Sequence, residues 1–530
     1  MNTRKVMQWL ALFLSGLLVM HYHLISQSFL SQGDHGRDLY CFQAILQGQL
    51  PYRDFWWVYG PLMPFYYAAF YKVLGFAVSS VLVGQVILKL LAGFFFFLTL
   101  SVYIPALWAY AGALWFWAFS QDFFFTYNHT GGITVLMALT YHLCRYDQEG
   151  RRSSINGAFV CVFLLCLIKI NFGLAALLIT VIVFFITEYS RRRIKPRTYL
   201  FLGGAVALLL FAVAGIYLYL LQGLSVAEIR QCLPYLKTDH PYNAPFGMTV
   251  RMWWDTLVLN INSSWPNRIF ALLIVTAITL TLRDLLQKKM ADRRPAIMAI
   301  GLFVSFYIIN MHEYWVSAVI YRTYWATPFS VLLIFLFFGL AFRALSPLVR
   351  RLILTALLVL IATRYYNNTL FLKSPHLTQH DLGLPRGRIV IGNTPEWIRT
   401  VQDTHHFLEA RLGPGETFFA APYDPIFYFL SGRLSPTRQL IFFEHINIPA
   451  AQEEKIIRSL EQKKVRYVVL SNRINSPEPG LGVFGQTYCP LIFRYINERF
   501  RPVATFGDWQ NPPGWAWNLG TTVLERVENP

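Results

Sequence analysis

Apolar stretches about as long as a bilayer is thick recur along this chain, and they constrain it more than any other feature. A helix crossing the hydrocarbon core needs roughly 20 predominantly apolar residues. Runs near that length occupy residues 6–26, 78–100, 103–120, 131–146, 156–170, 172–189, 199–221, 267–283, 296–311, 324–343 and 352–366. Composition agrees. Only 14% of the 530 residues are charged and 55% are hydrophobic, against roughly 25% charged in ordinary soluble chains. Such a chain cannot cover a soluble surface with charge. Residues 156–189 are the least regular stretch. Lys169 and Asn171 interrupt it, so two short spans meeting at the outer surface are expected rather than one long helix.

The formal net charge of +18 suggests nucleic acid until it is divided along the chain. Residues from Lys373 onward hold 17 Lys and Arg against 15 Asp and Glu, whereas residues 1–366 hold 29 against 13. The excess sits in short loops. Eighteen basic residues fall at Arg4/Lys5, 145–152, 191–197, 283–294 and 343–351. These are the loops that would face the cytoplasm if the N-terminus lies inside. Basic loops are retained on that side, so the pattern implies membrane topology and anionic lipid, not DNA or RNA. Eleven spans from an inside N-terminus place the C-terminal part outside. No small-residue cleavage site follows the first run, which is expected to be retained. The six cysteines form no CxxC pair, which argues against a zinc or redox site.

The expected architecture is a transmembrane domain over 1–366 followed by an extracytoplasmic α/β domain over 367–530. Two outer loops, 27–80 and 222–266, punctuate the first. Interface helices are expected at 39–46 and 61–73. In the tail, strands are expected at 415–421, 466–471, 502–506 and 521–526, and helices at 425–432, 449–464 and 490–500. Gly480, Gly482 and Gly485 spell GxGxxG. Pro477 and Pro479 separate them from the nearest strand, and a dinucleotide loop requires direct strand-to-helix continuity, so a simple loop is expected.

The first outer loop reads Gly33-Asp34-His35-Gly36-Arg37-Asp38-Leu39-Tyr40, then Gly48, then Pro51-Tyr52-Arg53-Asp54-Phe55-Trp56-Trp57-Val58-Tyr59-Gly60-Pro61. An acid directly after the first span, an interface helix and a Pro-Tyr-Arg-Asp-Phe segment resemble the GT-C integral-membrane glycosyltransferases. The likeness is to the bacterial relatives of protein O-mannosyltransferase and lipid A aminoarabinose transferase. Those families open this loop with Asp-Glu, where this chain has Asp34-His35. The tail segment from Asp424-Pro425 to Gly432-Arg433 is similar to tails in some of these proteins. The resemblance implies a polytopic α-helical GT-C fold with about 11 transmembrane helices. It also implies transfer of a sugar from a polyprenyl-phosphate donor to a lipid, glycan or protein hydroxyl at the outer face of a bacterial inner membrane.

Chemistry points to the same residues. A carboxylate at the outer surface can take a proton from an acceptor hydroxyl, and phosphate leaves without a protein acid. A single displacement inverts the anomeric carbon. Asp34 is the candidate base, with capping of the following helix as its rival role. Asp54, Asp122 and Asp38 are candidates for acceptor or metal contacts, Asp38 being expected to pair with Arg37 or Arg53. No cofactor is required, and the outer acids leave room for a divalent ion. Lys169 and Arg322 are candidates for the donor phosphate, because each lies beside a span end where a cation needs an anionic partner. Lys89 lies within a span, and His312 and Glu313 are expected to be structural. A transporter or flippase of a lipid-linked saccharide is the alternative, although no repeated halves or paired broken spans occur.

Overall fold

The computed structural model describes residues 3–119, 127–193, 196–233, 243–287, 290–342, 345–370, 380–475, 481–511 and 520–527. The N-terminal half runs through α1 (Thr3–Met20), α2 (Asp34–Leu46), α3 (Leu62–Leu74), α4 (Val78–Ser101), α5 (Ala106–Phe119) and α6 (Tyr127–Glu149). Helices α7 (Arg152–Ile168), α8 (Ile170–Ser190), α9 (Pro196–Leu220), α10 (Val226–Cys232) and α11 (Phe246–Asn262) follow. Then come α12 (Trp265–Gln287), α13 (Met290–Asn310), α14 (His312–Ser317), α15 (Thr327–Ala341) and α16 (Pro347–Leu370). The tail adds α17 (Pro395–Arg411), α18 (Ile426–Ser431), α19 (Ala450–Gln462) and α20 (Pro490–Arg499). Strands are β1 (Ser26–Gln27), β2 (Val390–Ile391), β3 (Phe418–Ala421), β4 (Tyr467–Ser471), β5 (Phe500–Gly507) and β6 (Gly520–Arg526).

The chain divides into two compact units. The first comprises Met1–His21, Gln85–Ala214 and Tyr242–Leu370 and is helical. Every apolar run expected from the sequence coincides with a helix. Among the described residues, six helical stretches are long and apolar enough to cross a membrane: Val6–Leu24, Val78–Ser101, Ile170–Ser190, Pro196–Leu220, Asn267–Gln287 and Arg294–Ser317. Three shorter apolar helices, Ala106–Phe119, Arg152–Ile168 and Thr327–Ala341, accompany them. The break between α7 and α8 falls at Lys169, whose backbone is extended (φ −158°, ψ 106°). Its N–H still closes the preceding turn on the Leu165 carbonyl at 2.8 Å, and its carbonyl accepts from Gly173 at 3.0 Å. The two helices therefore meet at one residue without leaving those two backbone groups unpaired. The segment expected as the second outer loop, 222–266, contains the helices α10 and α11.

The second unit comprises Tyr22–Gly84, Gly215–Pro241 and Phe371–Pro530. Its four-stranded sheet has the order β3-β4-β6-β5. Strands β3 and β4 are parallel, while β6 pairs antiparallel with both β4 and β5. Every residue of β3 and β4 is buried, as the apolar Phe-Phe-Ala-Ala and Tyr-Val-Val-Leu runs require. Helices α18 and α19 form the crossover between the parallel strands. Each tail strand and helix expected from periodicity is present within a few residues of its expected bounds. The sequence reading missed α17, which packs on β5 and β6, and the short parallel pair β1–β2. Gly482 and Gly485 both adopt positive φ in the stretch before α20. Gly480 lies outside the described residues.

Candidate active site

Helix α2 begins directly at Asp34. A buried polar turn sets up this start. The Ser31 hydroxyl oxygen accepts from the His35 N–H at 3.2 Å, and His35 Nδ1 accepts from the Ser31 N–H at 3.1 Å. His35, which stands where the similar families carry the second acid, is thus turned into the loop and closes it. Asp34 lies in the first helical turn and does not cap the helix. One carboxylate oxygen accepts from Arg37 Nη1 at 3.2 Å and the other from the Tyr423 hydroxyl at 2.9 Å. The Asp34 side chain remains 27% exposed, so part of the carboxylate faces outward from an otherwise buried cluster.

Arg37 is nearly fully buried and carries the cluster. Its Nε and Nη2 both donate to one oxygen of Asp38, at 3.0 and 2.7 Å. The expected Asp38–Arg37 pair is therefore present. Three rings surround the guanidinium, with centroids 5.8 Å (Trp56), 5.4 Å (Trp57) and 5.2 Å (Tyr59) away, positions suited to cation–π attraction. The rings come from the Pro51–Pro61 segment, held by Trp57 Nε1 donating to the Gly60 carbonyl at 2.9 Å and the Tyr52 hydroxyl donating to the Tyr59 carbonyl at 2.5 Å. Burial alone would lower the Arg37 pKa, but Asp38, Asp34 and Tyr59 outweigh it and hold it well above the usual value. Burial pushes Asp38 up to about 6, against the pull of Arg37. Two carboxylates thus share one guanidinium.

The tail contributes the remaining group. Tyr423 follows the carboxyl end of β3, and Arg473 follows the carboxyl end of the neighbouring parallel strand β4. The crevice beyond the carboxyl ends of parallel strands is where α/β sheets commonly place functional groups. The Arg473 guanidinium lies 4.5 Å from the Tyr423 ring centroid. The Tyr423 hydroxyl donates to Asp34 and also accepts from the Asp34 N–H at 3.2 Å. Burial and the adjacent Asp34 carboxylate both raise the Tyr423 phenol, keeping it a protonated donor. This approach explains two glycines. A Cβ on Gly33 would enter the Tyr423 ring, and one on Gly36 would meet the Ile426 backbone, with its Cα at 2.7 Å.

The other candidate residues are dispersed. Asp54 pairs with Arg53 (2.9 Å) and accepts from the Leu50 N–H at 2.8 Å. The Arg53 hydrogen bond holds its carboxyl below the ordinary range against partial burial. Asp122 lies outside the described residues. In the helical unit Lys169 is buried, with its Nζ 2.6 Å from Glu313 and 5.0 Å from the Phe172 ring centroid. Asn171 donates to Glu313 at 2.9 Å and lies 2.8 Å from His312 Nε2. Arg322, in the turn preceding α15, is near enough to act electrostatically on both Lys169 and Glu313. Lys89 is buried within α4. Among the described residues no group of three or more His, Cys, Asp or Glu side chains converges as a metal site. The sequence reading singled out Asp34, Asp38 and Lys169 as candidates. It missed Tyr423, the Glu313 counterion and the aromatic surround of Arg37, although the adjacent Trp56-Trp57 pair was a local signal of the last.

The fold that these elements build is similar along its length to solved structures. The similar solved structures include ArnT from Cupriavidus metallidurans. Its apo crystal structure aligns with a TM-score of 0.57 at 12% identity, covering 99% of this chain and 98% of that one. The ArnT structure bound to undecaprenyl phosphate aligns with a TM-score of 0.54 at 12% identity, covering 98% of each chain. No family model and no curated protein matches the sequence.

Proposed function

We propose that this chain is an inverting glycosyltransferase that moves a sugar from a polyprenyl-phosphate donor to an acceptor hydroxyl. The acceptor is a lipid, glycan or protein. Asp34 takes the hydroxyl proton while the acceptor oxygen forms a bond to the anomeric carbon. The bond from that carbon to the phosphate oxygen breaks, and the lipid phosphate leaves with the electron pair. The products are the glycoside and polyprenyl phosphate. The single observation that carries this reading is the Asp34 carboxylate, part-exposed and held from two sides, in a fold shared along its length with a protein crystallised with undecaprenyl phosphate.

For the donor phosphate we assign Lys169 and Arg322, two cations that act on one carboxylate, Glu313. A phosphate suits such an excess of positive charge. The basic loops support an inside N-terminus, the eleven-span count and a tail on the outer side of a bacterial inner membrane. The decisive experiment is Asp34→Asn, assayed with undecaprenyl-phosphate-linked pentoses and hexoses carrying a radiolabelled sugar. Asparagine preserves shape but cannot take the proton. Turnover is expected to fall about 10²- to 10⁴-fold with thermal stability nearly unchanged. Near-normal transfer by this variant would refute the assignment.

A further inference from the structure

We infer that Tyr423 is a positioning residue for the base, so that the C-terminal α/β part is a working component of the active site. The inference rests on Asp34 being the base. The geometry is reciprocal. One phenol oxygen donates to the Asp34 carboxylate at 2.9 Å and accepts from the Asp34 backbone N–H at 3.2 Å. The two contacts fix both the start of α2 and the orientation of the side chain that projects from it. Arg37 holds the other carboxylate oxygen, and with both oxygens engaged the carboxylate plane is set.

The sequence is adapted to this approach on both sides. Gly33 and Gly36 have no side chain where Tyr423 and Ile426 come closest, and the Ile426 N–H donates to the Gln32 carbonyl at 3.1 Å. The buried Arg473 guanidinium lies against the Tyr423 ring and 5.6 Å from the Phe443 ring centroid. The parallel pair β3–β4 therefore delivers the tyrosine from one strand end and its backing cation from the other. A residue needed only for packing would require neither the hydroxyl nor its two bonds to Asp34. Misplacing a catalytic group by about 1 Å costs on the order of 10²-fold in rate.

The test compares Tyr423→Phe, Asp34→Asn and the double variant in the full-length chain. The same undecaprenyl-phosphate-linked sugars serve as donors, with turnover expressed per molecule able to bind undecaprenyl phosphate. Loss of folded protein then does not count as loss of rate. Tyr423→Phe should lower kcat about 10- to 100-fold, leave the donor KM unchanged, and cause no further loss when added to Asp34→Asn. The last result is the signature of one residue acting through another. Wild-type kcat in Tyr423→Phe with Asp34→Asn inactive would overturn the positioning role and leave the base intact. So would a rise in KM with kcat unchanged, or additive losses in the double variant. Normal turnover in Asp34→Asn would instead remove the assignment on which the inference rests.

Discussion

Replacing Arg37 with leucine removes the one cation shared by two carboxylates, and the cost should depend on pH in a defined way. Asp38 is fully buried and one of its oxygens takes both Arg37 hydrogen bonds. Without them it must either remain an unpaired buried charge, at about 3–5 kcal/mol, or bind a proton. Even beside Arg37, burial lifts Asp38 from the usual 3.8 to about 6. Because the folded value is the higher one, the native state binds more protons than the unfolded state between them. That contribution to stability is fully present below about pH 4 and is lost as pH rises. In the wild type the loss is complete a little above pH 6.

In Arg37→Leu the attraction that lowers Asp38 is gone, so the loss continues to higher pH at about 1.4 kcal/mol per pH unit. The gap between variant and wild type should therefore widen by about 3 kcal/mol between about pH 6 and pH 8. Unfolding free energies from sodium dodecyl sulfate titration in dodecyl maltoside micelles would measure it. The double variant Arg37→Leu/Asp38→Leu should lose this pH dependence and recover most of the stability. An equal gap at about pH 5 and pH 8, or a double variant no better than the single, would refute the shared-cation account.

Gly36→Ala should destabilise the chain by about 1–3 kcal/mol through overpacking against the Ile426 backbone, seen as a lower thermal midpoint. Gly203→Ala, a helical position with open space around it, should be neutral or stabilising. Glu313→Gln should cost about 3 kcal/mol or more by stranding buried Lys169, and adding Lys169→Met should restore most of it. Additive losses in the same micelle titration would show that the two residues do not act as a pair. A reporter fused after Glu396 should be active only outside the cytoplasm, and one fused within 287–292 only inside. The opposite pattern would overturn the orientation drawn from the basic loops.

Much of the fold was legible because its determinants are local. Apolar runs and amphipathic periodicity located the helices, and the charged Lys169 inside an apolar stretch marked the break between α7 and α8. The Asp38–Arg37 pair was legible for the same reason, being adjacent in sequence, whereas Arg53, the alternative partner, pairs instead with Asp54. Tyr423 was not, since nothing near it announces a partner 389 residues away. Glu313 was read as structural because it and His312, being adjacent, cannot share one helical face, and its pairing with Lys169 brings together residues 144 apart in the chain. The glycines at 33 and 36 were read as part of a motif. The reason they are glycines lies in the tail that approaches them. Helix α17 was missed although Thr394 caps it and Pro395 opens it, a recognisable start signal.

The assembly of one compact unit from distant segments has a consequence for biosynthesis. Leu30 and Asn393 exchange two hydrogen bonds across 363 residues, and Asp34 waits for Tyr423 across 389. At roughly 5–20 residues per second of synthesis, about 20 to 80 seconds separate the emergence of Asp34 from that of Tyr423, its hydroxyl partner. For that interval the first loop exists without the surface that shapes it. A chain cut short before β3 would carry Asp34 yet lack Tyr423, Ile426 and the sheet behind them. Incomplete translation products therefore retain every apolar run needed to enter a membrane while lacking the finished Asp34–Arg37–Tyr423 cluster.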